Sequence, residues 1–271
     1  VSRPDEDSVA LFLKKFLPKS LVYALIRFKN VYIQQSLFKR VRAFPDRSKK
    51  FLIDQVKKEL PDFDVDKHFT PSYNPWEQRM CLIPNSDFFN AIKDKSATVV
   101  TDHIEAFEEN GIKLKSGDFL EADIIVTATG LVLQNFGGVN ISVNNNPVNV
   151  SQTMTYKSLM YSDIPNFVNS FGYINASWTL KADLTSTYLC RLIKHMDQNN
   201  YLSACPKKPL DVDETYDWLK DFSSGYIQRS IGLHPQQGSK KPWVNYQDYI
   251  KDWFDVKFSK LEDGNLIFSK D

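Results

Sequence analysis

The chain has 271 residues and only 10 glycines, where average usage of about 7% would give roughly 19. Its 42% hydrophobic and 25% charged residues are the balance of a folded chain with one large or two modest cores, and a net charge of +1 offers no global field for nucleic acid. No three glycines fit G-x-G-x-x-G and no G-x-x-x-x-G-K-[ST] occurs, so a complete glycine-rich dinucleotide-binding half and a P-loop are both excluded within these residues.

The charge is uneven. Residues 1–58 hold 14 Lys/Arg and 5 Asp/Glu, net +9, which leaves −8 for residues 59–271. Val1-Ser2-Arg3-Pro4-Asp5 has no leader character and reads as a chain entered in the middle. Residues 6–59 read as helices. Ser8 can cap Val9–Leu17, which Pro18 ends, and Ser20 can cap a longer helix from Leu21 to about Arg42. Pro45-Asp46 breaks the pattern, and Ser48–Glu59 resumes it. Lys14, Lys15, Lys19, Arg27, Lys29, Lys39, Arg40, Arg42, Lys49 and Lys50 are among the cations that ride on this section. They suit either a solvated helix face or peripheral contact with a membrane surface or a phosphorylated ligand.

Residues 60–86 contain Pro61, Pro71, Pro75 and Pro84 with aromatics between them, the composition of a long ordered loop of the kind that carries function. Ser86 can cap a short helix over Asp87–Lys93. Ala97–Val100 reads as a strand. His103–Glu108 and Ile112–Lys115 flank the turn pair Asn110-Gly111, with a second turn at Ser116-Gly117. Ala122–Thr127 reads as a strand covered on both faces, ending in Ala128-Thr129-Gly130.

Further on, Asn140–Val150 predicts a small hairpin and Phe167–Phe171 a short strand. A helix is predicted from about Ser177 to Met196, with Leu180, Leu184, Tyr188 and Leu192 four apart. More helices are predicted at Glu214–Phe222 and Tyr246–Phe254, with a terminal hairpin around Asp263-Gly264.

Several chemistries can be set aside. His68, His103, His195 and His234 do not form H-E-x-x-H or a similar metal pattern, and no G-x-S-x-G elbow exists. Cys81, Cys190 and Cys205 are odd in number and far apart, which suggests reduced thiols in a cytoplasmic protein. No apolar run approaches the ~18 residues that span a bilayer.

Three stretches remain. The strand ending at Ala128-Thr129-Gly130 presents N–H groups and a hydroxyl where open α/β sheets bind ligands, although a plain strand-end turn needs the same glycine. Gly172-Tyr173-Ile174-Asn175-Ala176-Ser177-Trp178-Thr179 opens a long helix, either as an ordinary N-cap or as a donor site for an electron-rich ligand edge. Tyr73-Asn74-Pro75-Trp76-Glu77-Gln78-Arg79 places a permanent cation in a stiff aromatic loop, for a salt bridge or for a developing anion.

The order of these stretches resembles the FAD- and NADPH-dependent monooxygenases of the Baeyer–Villiger and flavin-containing class, in particular their ethionamide-activating branch. The resemblance runs through His68–Arg79, Val99–Asp102, Ala122–Leu131 and Gly172–Leu184, with Gln237-Gly238-Ser239 and Pro242-Trp243 like that branch's tail. It implies an α/β fold, the C-terminal part of a flavoprotein with two Rossmann-like domains and a helical insertion at its N-terminal end. Residues 1–127 would be the C-terminal part of the NADPH domain, with the insertion at about 6–59 and an active-site loop at 60–86, and 128–271 that of the FAD domain.

By the same resemblance, NADPH reduces FAD, and a C4a-peroxyflavin formed with O2 inserts oxygen into a ketone or oxidises a thioether or another S or N atom. Arg79 is then the catalytic arginine. Gln78, Thr129, Gly130, Asn175, Ala176, Ser177, Trp178 and Thr179 are the cofactor-binding residues, and no metal is implied. Gln78 stands where many members of the family carry lysine. The family's two glycine-rich motifs and its F-x-G-x-x-x-H-x-x-x-W fingerprint are absent. The chain is therefore expected to correspond to the C-terminal part of such an enzyme and to be inactive alone.

Overall fold

The computed structural model describes residues 2–209, 215–217 and 222–271. Two compact units emerge, one from Val1–Val22 with Val41–Leu131 and the other from Tyr23–Arg40 with Val132–Asp271.

The first unit opens with β1 (Ser2–Arg3) and α1 (Ser8–Leu13). Asp7 caps α1 in place of the expected Ser8, accepting from the N–H groups of Val9 at 3.0 Å and Ala10 at 3.2 Å. α2 (Lys19–Ala43) starts one residue before Ser20, with the Pro18 carbonyl taking its first N–H bonds. The break at Pro45 forms as expected, and α3 (Pro45–Glu59) starts there, three residues before Ser48, since proline at a first helical position loses no intrahelical bond. Inside the long loop lies α4 (Val65–His68), capped by Asp64. β2 (Ile83–Pro84) pairs parallel to β1. α5 (Asp87–Lys93) follows as expected, but Ser86 takes a left-handed backbone and sends its hydroxyl to Glu59 instead of to the helix. Leu60, Val65, Phe89 and Ile92 form the core, with Ile53, Val56, Phe63, Phe69, Ile83 and Val99 packed around it.

The predicted turns at Asn110-Gly111 and Ser116-Gly117 form. They join β3 (Ile104–Glu108), β4 (Gly111–Leu114) and β5 (Phe119–Glu121) into an antiparallel meander. Position 111 needs glycine because a Cβ there would overlap the Leu120 carbonyl oxygen. Two strand expectations are corrected. Ala97–Val100 pairs with no strand, although Val99 packs on the core. Ala122–Thr127 is neither paired nor covered: Ile124 and Val126 are each 82% exposed. An Ile-Ile-Val run becomes a strand only beside neighbouring strands, and the described residues supply none.

The second unit takes the middle of α2. It adds the predicted hairpin of β6 (Ser142–Val143) and β7 (Asn146–Pro147), then a tight pair, β8 (Thr155–Tyr156) and β9 (Met160–Tyr161). Phe167–Phe171 is not a strand. Val168 alone bridges to Met160, through the Asn169 N–H to the Leu159 carbonyl, while the preceding Asn166 N–H goes to Ala204.

α6 (Trp178–Asn199) carries the predicted stripe, with Leu180, Leu184, Tyr188 and Leu192 all buried. β10 (Ser203–Pro206) follows. Where a helix was expected over Glu214–Phe222, Thr215–Asp217 is β11, whose β-prone Thr and Tyr pair antiparallel with Gln236–Gly238. Glu214 and residues 218–221 lie outside the described residues. α7 (Gly225–Gln228) precedes β12, the Gln236–Gly238 strand. α8 (Tyr249–Phe258) begins three residues later than predicted, where Asp248 caps it. β13 (Leu266–Ser269) pairs with β10 and not across Asp263-Gly264, because α8 and its exit occupy the place of the first hairpin strand. The core joins α6 and α8 through Leu184, Tyr188, Leu192, Tyr249 and Val256, with Met154, Tyr156 and Met160 beneath.

Asp248 also holds Lys39 at 3.0 Å. Burial alone raises the Asp248 pKa. The Lys39 ammonium and the N–H groups of Lys251 and Ile250 outweigh it and hold the carboxyl below its ordinary value. This stabilisation is complete above the ordinary carboxylate pKa of about 3.9 and is lost as pH falls through the lower folded value. Asp248→Asn keeps a good cap and loses the charge, and Lys39 stays in water, so the cost at neutral pH should be about 1 kcal/mol. Thermal melts across acid pH should show that difference vanishing.

Candidate active site

The start of α6 is shaped by one glycine. A Cβ at Gly172 would overlap the indole of Trp178, so the ring lies directly over the backbone, 5.0 Å from the ring of Phe171. Gly172→Ala should displace that indole, destabilise the second unit by about 1–3 kcal/mol, and shift the tryptophan emission. An unchanged spectrum and melting midpoint would contradict this packing.

The backbone then turns into the helix on a polar scaffold. Ile174 N–H donates to Gln247 Oε1 at 2.9 Å, and Asn175 Nδ2 donates to the Gln247 carbonyl at 2.8 Å. Gln34 Nε2 donates to the Asn175 carbonyl at 3.2 Å. Asn175 is 1% exposed, so it serves this scaffold and cannot serve as a surface glycosylation site. Ala176 is buried behind it.

Ser177 sits at the N-cap but does not cap. Its hydroxyl pairs instead with Thr179 Oγ1 at 2.8 Å. The backbone N–H groups of Trp178 and Thr179 therefore have no hydrogen-bond partner among the described residues. Two adjacent donors at the positive end of a 22-residue helix suit an electron-rich edge or an anion.

Beside this start opens a cleft of about 250 Å³, walled by Phe136, Tyr161, Phe171 and Trp178. Lys181 and His234, both buried, line its floor. Lys181 Nζ lies 2.8 Å from Asp252 Oδ2, and the Tyr173 hydroxyl donates to the same oxygen at 2.6 Å. Burial, then the Asp252 charge, push the Tyr173 phenol far above its ordinary pKa, so it stays a donor. His234 Nε2 is 3.4 Å from Ser230 Oγ, and its ring meets Phe171 edge-on.

Lys181 and His234 were not among the residues singled out from sequence. A signal for Lys181 was available: it stands three residues before Leu184 and seven before Tyr188, on the buried stripe of α6. Asp252 stands likewise between Tyr249 and Val256 on α8. Opposite charges on two buried stripes predict a pair.

The other predicted residues lie in the first unit. Pro75 bridges to Gln78 across a turn in which Trp76 has φ 68°. Glu77 ties that turn, accepting from Asn74 N–H at 2.8 Å and Asn74 Nδ2 at 3.1 Å. Those bonds hold the Glu77 carboxyl below its ordinary pKa. Gln78 is half-buried, and Arg79 is exposed as the chain leaves the turn. Thr129 and Gly130 are exposed, with φ 96° at Gly130. The predicted residues thus fall into two groups: Asn175–Thr179 at the cleft of the second unit, and Gln78, Arg79, Thr129 and Gly130 in the first.

None of the three cysteines is in a disulfide. Among the described residues, no cluster of His, Cys, Asp or Glu can hold a metal, and no helix is long and apolar enough to cross a membrane.

No protein-family model matches the chain. Curated proteins do. It is 44% identical to the FAD-containing monooxygenase EthA of Mycobacterium tuberculosis (strain ATCC 25618 / H37Rv) over 272 residues, all of this chain and 55% of that protein. It is 43% identical to EthA of Mycolicibacterium smegmatis over 270 residues, 99% of this chain and 55% of the relative. It is also 40% identical to "Probable FAD-binding monooxygenase AlmA" of Acinetobacter baylyi over 271 residues, 99% of this chain and 54% of the relative. The chain spans little more than half the length of these curated relatives, and it matches their C-terminal part.

Proposed function

We propose that this chain, homologous over its whole length to the C-terminal part of FAD-containing monooxygenases, supplies the oxygenation half of an FAD- and NADPH-dependent enzyme with two Rossmann-like domains. Its substrate is a small ketone, with a thioether or another S or N centre as the alternative. The observation that carries the reading is the uncapped start of α6, where two N–H donors have no hydrogen-bond partner among the described residues, beside an aromatic cleft.

These residues fit one end of the cofactor. The Trp178 and Thr179 N–H groups suit the carbonyl edge of a flavin ring, and Asn175 with Ala176 holds the turn that aims them. They do not fit its diphosphate, because no glycine-rich turn exists among the ten glycines. Bound FAD, reduced by NADPH, supplies the activation of O2. Arg79 supplies a permanent cation for the oxygen anion that develops on the substrate. The turn tied by Glu77 fixes where the chain carrying Gln78 and Arg79 emerges. The aromatic walls of the cleft keep water from the reacting atoms. Thr129 and Gly130 form the link between the two domains.

Expressed as it stands, the chain should retain no stoichiometric flavin and should not oxidise NADPH. Absorbance of the purified protein near the flavin bands and a spectrophotometric NADPH assay check this, and bound FAD with turnover would refute it. Parallel assays of the complete enzyme on a ketone and a thioether decide between the two substrate classes.

A further inference from the structure

The turn that opens α6 is held from outside the helix, chiefly by one residue. Gln247 accepts the Ile174 N–H on its side chain and Asn175 Nδ2 on its own carbonyl. Asn175 Oδ1 accepts from no described residue, so the Gln247 carbonyl is the one anchor of that buried amide among them. Gln247 makes both bonds from a left-handed backbone, φ 48°, which is unfavourable for a residue with a Cβ. Asn245 steadies it there. Asn245 Oδ1 accepts the Gln247 N–H at 3.2 Å and Gln247 Nε2 at 3.1 Å. The Asn245 N–H in turn donates to Oε1 of the buried Gln237 at 3.0 Å. Three polar side chains thus run as a relay from β12 to the turn.

An unfavourable backbone angle persists only where its surroundings over-determine it, and such angles gather at functional sites. The body of α6 is already fixed by its buried stripe, so what remains to be set is how the chain enters the first turn. Ser177, at the N-cap, gives the helix no side-chain bond. The entry is therefore set by what holds Ile174 and Asn175. Just beyond that anchored pair come the N–H groups of Trp178 and Thr179, which have no partner among the described residues. Their direction follows from the anchor.

We propose, resting on the functional reading above for the identity of the ligand, that Gln247 is a positioning residue for the flavin ring. Through Ile174 and Asn175 it aims the Trp178 and Thr179 N–H groups at the carbonyl edge of the ring. Asn245 and Gln237 act one step further back, by holding Gln247 in its left-handed conformation.

The test uses Gln247→Met, which keeps the size of the side chain and removes its acceptor, with Asp248→Asn as a control at the next residue. In the chain alone, amide exchange at Ile174 should quicken about tenfold in Gln247→Met. The second arm joins the chain to the unmatched N-terminal part of the Mycobacterium tuberculosis relative. There Gln247→Met should raise the FAD dissociation constant about tenfold and shift the visible flavin bands. Asp248→Asn should lower the melting midpoint and leave the exchange, the bands and FAD dissociation unchanged. If Gln247→Met does not fold, Asn245→Ala, which leaves both Gln247 acceptors in place, should give the same changes at smaller size. Unchanged exchange at Ile174 would overturn the proposal. So would quickened exchange with flavin binding and bands untouched, or a loss of FAD binding that Asp248→Asn reproduces. An unsubstituted joined polypeptide that holds no flavin would sink the functional reading, and exchange at Ile174 would still decide whether Gln247 holds the turn.

Discussion

Lys181→Met should lower the melting midpoint of the chain by roughly 10 °C, from a loss of about 3–5 kcal/mol. Lys181 is 2% exposed and Asp252 is 8% exposed, so removing the ammonium strands a carboxylate where water scarcely reaches. The Tyr173 hydroxyl still donates to that carboxylate, yet one neutral donor does not replace a cation at 2.8 Å. One control separates this cause from lost packing. Lys181→Met/Asp252→Asn should recover much of the loss, because a neutral amide still accepts from Tyr173. A double variant no more stable than the single would contradict the pairing and point to packing by the lysine stem.

Arg79→Ala, made in this chain joined to the N-terminal part of a relative, should reduce oxygenated product by about 10²-fold or more. Reduction of the flavin by NADPH should continue, with electrons passing to O2 as hydrogen peroxide. Arg79→Lys keeps the charge and loses the planar fork, so an intermediate yield is expected. Product formation near the unmodified rate in Arg79→Ala would remove the arginine from the chemistry. Loss of both NADPH oxidation and product would assign it to cofactor binding instead.

What was legible in the sequence was local. Asn110-Gly111 specifies its turn through its own backbone, and the four-residue spacing from Leu180 to Leu192 specifies a buried helix face. The helix-opening stretch Gly172–Thr179 was legible as well, since glycine, a short polar run and an aromatic are written consecutively. Pairing was harder to read. Ala122–Thr127 has the composition of a covered strand and lacks the neighbours that would make it one. Thr215–Asp217 became a strand because Gln236–Gly238 was beside it, which no local pattern records. Asp263-Gly264 turns the chain, but strand β13 found its partner some sixty residues upstream at Ser203–Pro206. At the candidate site, the helix start and Asn175 were readable from order alone. The floor of the cleft needed Lys181 on α6 to be set against Asp252 on α8, a fact of packing between two stripes.

The most direct test of the central claim is the flavin content of this chain alone and of the same chain preceded by the unmatched N-terminal part of the Mycobacterium tuberculosis relative. Both are purified after growth with excess FAD and read by absorbance, with NADPH-dependent O2 consumption as the second channel. The predicted result is close to one FAD per joined polypeptide with O2 consumption, and none of either for the chain alone. A joined polypeptide that folds cooperatively yet holds no flavin, or a chain that holds stoichiometric flavin by itself, would contradict it.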